Sequence, residues 1–197
     1  MLALNLSRFS SITDLLRVQF FAPALSAILL AMLSEAMAFS YLALLAVDKV
    51  GMAPLELGAF FSISALSGIV ATLVLGHLHD RAPVRWPLLA SLAAKAAGFG
   101  LCVLMTEVWL LLLNAAILLG ISSASFALLF ATARGYLQAS STAAISQGMA
   151  LLRMVNSVSW TVGPAIGAAL IARWSFEGIY FGAAGLAISA LLYCYGQ

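Results

Sequence analysis

Charged residues are scarce in this sequence. Only 8% of its 197 residues are Asp, Glu, Lys or Arg, whereas hydrophobic residues make up 64%. Because soluble domains carry about 25% charged residues, a chain with so few charges cannot cover a water-exposed surface. The formal net charge of +2 is also far too small for the basic surface that nucleic-acid binding requires. The composition therefore indicates that lipid surrounds most side chains.

Cysteine and histidine are scarce as well, with two of each. Cys102 and Cys194 both lie in apolar segments and have neither metal-ligand spacing nor the density of a disulfide framework. His77 and His79 are two positions apart, which does not place them on one face of a helix. The sequence also has no Ser-His-Asp or phosphate-loop pattern. We therefore expect no metal, no organic cofactor and no enzymatic reaction.

Apolar segments separated by short polar breaks make up most of the chain. A membrane helix needs about 20 apolar residues, and six such segments are predicted, at 20–47, 56–78, 87–105, 108–131, 145–172 and 178–195. The sequence thus predicts an all-α, six-helix transmembrane domain over residues 20–197. Residues 1–19 carry scattered charges and are predicted to form an amphipathic segment on the cytoplasmic membrane surface.

The distribution of basic residues between the loops predicts the orientation. One side collects five of them (Arg8, Arg17, Arg81, Arg85 and Arg134), and the other collects only Lys49 and Arg173. Because cytoplasmic loops carry the excess of Lys and Arg, the first side is predicted to face the cytoplasm. An even number of spans then places both termini there, and the bilayer is predicted to be the inner membrane.

Three charged residues lie deep inside the predicted spans: Glu35, Lys95 and Arg153. Each is a candidate functional group, because an unpaired charge at membrane depth costs several kcal/mol. Burial favours the neutral form of a carboxyl group, so Glu35 is the candidate for proton exchange. A structural ion pair of Glu35 with Arg153 or with Lys95 is the alternative. The long Lys95 side chain could instead extend to the membrane interface.

Polar and aromatic residues follow Arg153 along the fifth span. Asn156, Trp160 and Pro164 come three, seven and eleven residues later, which places all of them on one helix face with Arg153. A guanidinium, an amide and an indole on one face could form the wall of a cavity. Because an indole offers a flat apolar surface and one donor, Arg153, Asn156 and Trp160 are predicted to bind a sugar or an aromatic compound.

The loop after the second span reads GHLHDRAPVR. It resembles the cytoplasmic signature of the major facilitator superfamily, G-x-L-x-D-R-x-G-R-R, although Pro83 and Val84 depart from that pattern. The resemblance implies an all-α fold with a cytoplasmic gate. Asp80, Arg81 and Arg85 from this loop, with Arg134 at the end of the fourth span, are predicted to form that gate.

The fifth span resembles the glycine-proline element of proton-coupled exporters in the same superfamily, carried here by Gly163 and Pro164. A proline inside a helix removes a hydrogen bond and bends the helix. The whole stretch 128–170 is similar to the fourth-to-fifth helix region of bacterial sugar efflux transporters. The resemblance implies secondary active efflux of sugars or related small molecules by proton antiport and alternating access.

Six spans are half of the twelve that a full member of this superfamily has. The two halves are related by an axis along the membrane normal, so two copies could pair as a homodimer, or a separate C-terminal half could complete the transporter. The expected partners are a sugar-like or amphipathic small molecule, protons and the lipid bilayer. Two alternatives stay open: drug efflux, and a truncated half or membrane subunit that does not transport.

Overall fold

The computed structural model describes residues 15–81, 85–138 and 142–196, and these residues are almost entirely helical. The predicted all-α bundle is confirmed. Helix α1 spans Phe21–Lys49, α2 spans Pro54–Arg81, α3 spans Trp86–Cys102 and α4 spans Val108–Leu137. The last helical run, Thr142–Tyr195, is broken near its middle.

The break in the last run divides it into α5 (142–173) and α6 (176–195). Trp174 and Ser175 leave the helical conformation there, and Ser175 adopts a left-handed φ of 54°. The sequence predicted this boundary between residues 172 and 178. Helix α3 is the shortest of the long helices, at 17 residues, or about 26 Å, while the others are longer.

Helices α1 and α4 each contain a π-helical turn, at Leu45–Lys49 and Ala115–Leu119. Helix α1 also has a local irregularity at Ser40 and Tyr41, before a short helical turn resumes at Leu42. Such irregular turns often mark places where a helix bends or carries function. Hydropathy alone predicted neither π turn.

Small residues set the closest helix approaches. A Cβ atom on Gly163 of α5 would lie 2.7 Å from Ala36 Cβ of α1, and one on Gly167 would lie 2.7 Å from the ring of Tyr41. Without a hydrophobic driving force between membrane helices, such small residues allow the backbones to pack closely. Since residue numbers increase together along this seam, α1 and α5 run parallel.

The core consists of two apolar clusters, one toward each end of the bundle. One contains Leu88, Leu128 and Cys194, and the other contains Leu45, Phe99 and Tyr180. Helix α1 packs mainly against the α5–α6 run, and α2 packs against α4. The division into a surface segment at 1–19 and a transmembrane domain at 20–197 stays a prediction, because residues 1–14 lie outside the described part of the chain.

Candidate functional site

Glu35 and Lys95 form an ion pair inside the bundle. The Lys95 Nζ donates to Glu35 Oε2 over 2.5 Å, and it joins the middle of α3 to the middle of α1. The Lys95 side chain is fully buried, whereas 25% of the Glu35 side chain is exposed. Lys95 therefore does not extend to the interface, and its charge is compensated at depth by Glu35.

Arg153 is not the partner of Glu35, although the two were candidates for pairing. The contact between α1 and α5 brings Ala36 to the level of Gly163, so Glu35 lies near the level of residue 162 of α5. Arg153 is about nine residues nearer the start of α5, or about 14 Å along the axis. It is exposed and makes no ion pair within the described ranges.

The predicted substrate-binding face of α5 lies beside α1. Arg153 and Trp160 are exposed, while Asn156 is half-buried with an amide oxygen that has no partner among the described residues. The Trp160 ring meets Phe39 of α1 edge-on, with centroids 6.3 Å apart. Phe39 is one turn from Glu35 on the same face of α1. Glu35 on α1 and the Trp160 indole on α5 therefore lie on adjoining surfaces.

Pro164 lies at the same seam and connects to the irregular turn of α1. The Tyr41 hydroxyl donates to the Pro164 carbonyl oxygen over 2.9 Å. Proline removes one backbone hydrogen bond of α5, and Tyr41 lies at the irregularity of α1. The Tyr41–Pro164 hydrogen bond therefore joins two positions at which regular helix geometry is interrupted. Gly163 beside it packs directly on the α1 backbone at Met37.

Three of the four predicted gate residues line one cavity. Asp80, Arg85 and Arg134 surround a space of about 730 Å³ together with His79 and Tyr136. Arg81 is exposed and does not line it. No ion pair joins the acidic and basic members in the described part of the chain. The departures at Pro83 and Val84 fall outside the described residues.

Lys49 holds several helix ends together at the opposite end of the bundle. Its ammonium donates to the Val103 carbonyl oxygen over 2.6 Å and pairs with Glu177 over 3.5 Å. It thereby joins the ends of α1 and α3 to the start of α6. From the sequence, Lys49 was predicted only as a loop charge, and no functional role was predicted for Phe39 or Tyr41. Phe39 follows Glu35 by four residues and so shares its helix face, which is the sequence signal for Phe39.

Two curated relatives resemble much of this chain. A Deinococcus radiodurans protein named "Putative sugar efflux transporter" is 39% identical over 160 residues, which are 80% of this chain and 41% of the relative. Sugar efflux transporter A of Escherichia coli K12 is 27% identical over 139 residues, which are 70% of this chain and 35% of the relative. The matched region thus covers about two fifths of these relatives' length.

No solved structure matches the chain. The family profile of the Major Facilitator Superfamily matches residues 24–196, from the start of α1 to the end of α6. Transport across a membrane, rather than enzymatic catalysis, is what this family does, and the apolar helices agree with a multi-pass membrane protein. With nearly all of its six-helix bundle matched, the chain belongs to the Major Facilitator Superfamily.

Proposed function

We propose that the chain forms one half of a proton-coupled exporter of sugars or related small molecules. The observation that carries this proposal is the Glu35–Lys95 ion pair, which joins α1 to α3 with Lys95 fully buried and Glu35 partly exposed. A family member with an ionisable pair at this depth has a means of linking proton movement to helix movement. The names of the two relatives support sugar export.

Glu35 is the proton-coupling group in this proposal. Part of its side chain is exposed, whereas Lys95 is fully buried, so a proton reaches the carboxylate without crossing the packed core. Protonation of Glu35 removes the charge that compensates the Lys95 ammonium. A buried charge left without a partner is strongly destabilising, so the packing of α1 against α3 becomes less favourable and a second arrangement gains population.

The substrate contacts Arg153, Asn156 and Trp160 in this proposal. The exposed indole offers a flat surface on which a sugar ring can lie, and the Arg153 guanidinium supplies several donors to hydroxyl groups. The unpaired amide oxygen of Asn156 accepts one further hydrogen bond. Because Trp160 touches Phe39, one turn from Glu35, a bound substrate lies close to the proton site.

Alternating access requires a gate and a bend. We assign the gate to Asp80, Arg81, Arg85 and Arg134, at the end of the bundle for which the positive-inside rule predicts a cytoplasmic location. The bend lies at Gly163 and Pro164, where the Tyr41 hydroxyl holds α5 to α1. The proposed setting is the inner membrane with both termini in the cytoplasm.

Completion of the transporter needs a second six-helix bundle, supplied by a second copy of this chain or by a separate half. The matched region covers only about two fifths of the relatives, whose own length leaves room for such a half. In this family, the two halves of a transporter have the same orientation in the membrane and are related by an axis along the membrane normal. A homodimer with both copies in the same orientation satisfies that symmetry.

Efflux of amphipathic drugs is the second candidate. Phe39 contacts Phe61 edge-on as well as Trp160, with centroids 5.9 Å and 6.3 Å apart. Such an aromatic group favours flat apolar ligands. A sugar exporter and a drug exporter of this fold would therefore differ mainly in what binds beside Trp160.

Transport by inside-out vesicles that contain the whole transporter tests the proposal. A proton gradient should drive uptake of labelled sugars, and Trp160→Ala should raise the half-saturating sugar concentration. Leu113→Ala, at an exposed apolar site on α4, is the matched control. Uptake of an amphipathic cationic dye without sugar uptake would favour drug efflux, and no gradient-driven uptake of either would refute transport by this route.

A further inference from the structure

The cavity lined by Asp80, Arg85 and Arg134 has features of a binding site as well as of a gate. Its volume of about 730 Å³ falls within the range of small-molecule sites. It lies among the ends of α2, α3, α4 and α6, at the end of the bundle where most of the basic residues lie. We propose that this cavity binds the phosphate group of a phospholipid.

Two guanidinium groups face the cavity without a fixed counter-ion. Neither Arg85 nor Arg134 makes an ion pair or a side-chain hydrogen bond within the described ranges. Arginine offers five donors in a planar arrangement that matches phosphate oxygens, and such charge-assisted pairs are among the strongest hydrogen bonds. With Asp80 in the same lining, the cavity keeps one net positive charge, which suits a monoanionic phosphodiester.

Further donors surround the same space. The Nδ1 atom of His79 is buried and has no hydrogen-bond partner among the described residues. His79 and Gln138 both belong to the lining of this cavity, and the Gln138 amide offers a donor to an anion. A buried polar atom without a partner is uncommon and calls for a ligand or a water.

The remainder of the lining is apolar and favours a lipid over a soluble phosphate. Ala24, Leu88, Leu89 and Leu129 form this part. A polar end beside an apolar wall matches a headgroup followed by glycerol and acyl chains. Basic pockets between transmembrane helices on the cytoplasmic side are the usual binding sites of anionic headgroups, and this cavity lies at that end of the bundle in the predicted orientation.

Native mass spectrometry of the purified chain with phosphatidylglycerol tests the site. Arg85→Gln/Arg134→Gln should weaken lipid retention by about tenfold for each guanidinium lost. Arg17→Gln/Arg81→Gln removes the same charge from exposed positions outside the lining and should retain the lipid. Asp80→Asn should instead strengthen retention, because it removes the negative charge from the cavity.

Two further arms complete the test. Arg85→Lys/Arg134→Lys keeps the charge and should bind more weakly than wild type but more tightly than the glutamine variant, which separates binding from misfolding. Binding of inorganic phosphate that depends on Arg85 and Arg134, with no retention of phosphatidylglycerol, would support a phosphate site but refute the lipid as its ligand. Equal retention by wild type and the Arg85→Gln/Arg134→Gln variant, or equal loss in the Arg17→Gln/Arg81→Gln control, would overturn the proposal.

Discussion

The Lys95 ammonium and the Glu35 carboxylate meet over 2.5 Å, but only the carboxylate reaches the surface of the bundle, because Lys95 is fully buried and Glu35 is 25% exposed. The two charges are therefore not equivalent. Loss of Glu35 leaves a buried ammonium without a partner, whereas loss of Lys95 leaves a carboxylate that is partly exposed at the surface of the bundle. This asymmetry leads to a prediction about stability.

Glu35→Gln should destabilise the chain more than Lys95→Met does. An uncompensated buried charge costs about 3–5 kcal/mol, and only the Glu35 variant creates one. The double variant, which removes both charges, should recover most of the lost stability. Thermal unfolding in one detergent checks the order, and equal losses in both single variants would contradict the asymmetry.

Gly163→Ala should weaken the packing of α1 against α5. The added methyl group would lie 2.7 Å from Ala36 Cβ and 3.0 Å from the Met37 nitrogen, and the backbone cannot move aside locally. Overpacking of this kind costs about 1–3 kcal/mol. Gly185→Ala on α6 is the control, because nothing lies within 4 Å of the added atom.

The Gly185→Ala control should be neutral or stabilising, since alanine favours a helix over glycine by about 1 kcal/mol. Unfolding of both variants in the same detergent gives the comparison. If Gly163→Ala is as stable as Gly185→Ala, the close approach of α1 and α5 is not a constraint on this bundle.

The six helices were predictable from the sequence because each apolar segment is bounded by a polar break. Helix α3, at 17 residues, is nevertheless short for a membrane span. The pairing of Glu35 was not predictable. Helical periodicity shows which residues share a face, but it does not show the level at which two helices pack. That level is set by Gly163 against Ala36, and it places Arg153 too far along α5 to reach Glu35.

The irregular turns were not predictable from the sequence either. Ala115–Leu119 is apolar throughout, and Leu45–Lys49 is apolar up to Asp48. Hydropathy does not distinguish a π turn from an α turn in either segment. The gate residues were found through a family signature, and the structure brings Asp80, Arg85 and Arg134 to one cavity. Their role in gating stays a prediction.

The orientation can be tested by labelling single cysteines in intact cells. Gln138→Cys and Ala53→Cys place thiols at exposed positions on opposite ends of the bundle, while the native Cys102 and Cys194 are buried. A membrane-impermeant thiol reagent should label position 53 in intact cells but label position 138 only after the cells are permeabilised. Labelling of both from outside would contradict the topology.

Asp80→Asn should impair transport more than it impairs membrane insertion. In the proposed gate, this carboxylate holds one arrangement of the helix ends by pairing with a basic group as the gate closes. Transport rate and the amount of protein in the membrane, measured on the same vesicles, separate the two effects. An unchanged transport rate would show that Asp80 is only a solvated charge at the end of α2.

Proton-driven sugar uptake by Glu35→Gln in inside-out vesicles tests the central claim most directly. The vesicles must contain the whole transporter, either two copies of this chain or the chain with a separate second half. Glutamine keeps the size of the side chain but cannot ionise, so the variant should bind sugar and fail to accumulate it against a gradient. Glu107→Gln, at an exposed position before α4, should accumulate sugar normally. Undiminished proton-driven accumulation by a stably folded Glu35→Gln protein would contradict the account.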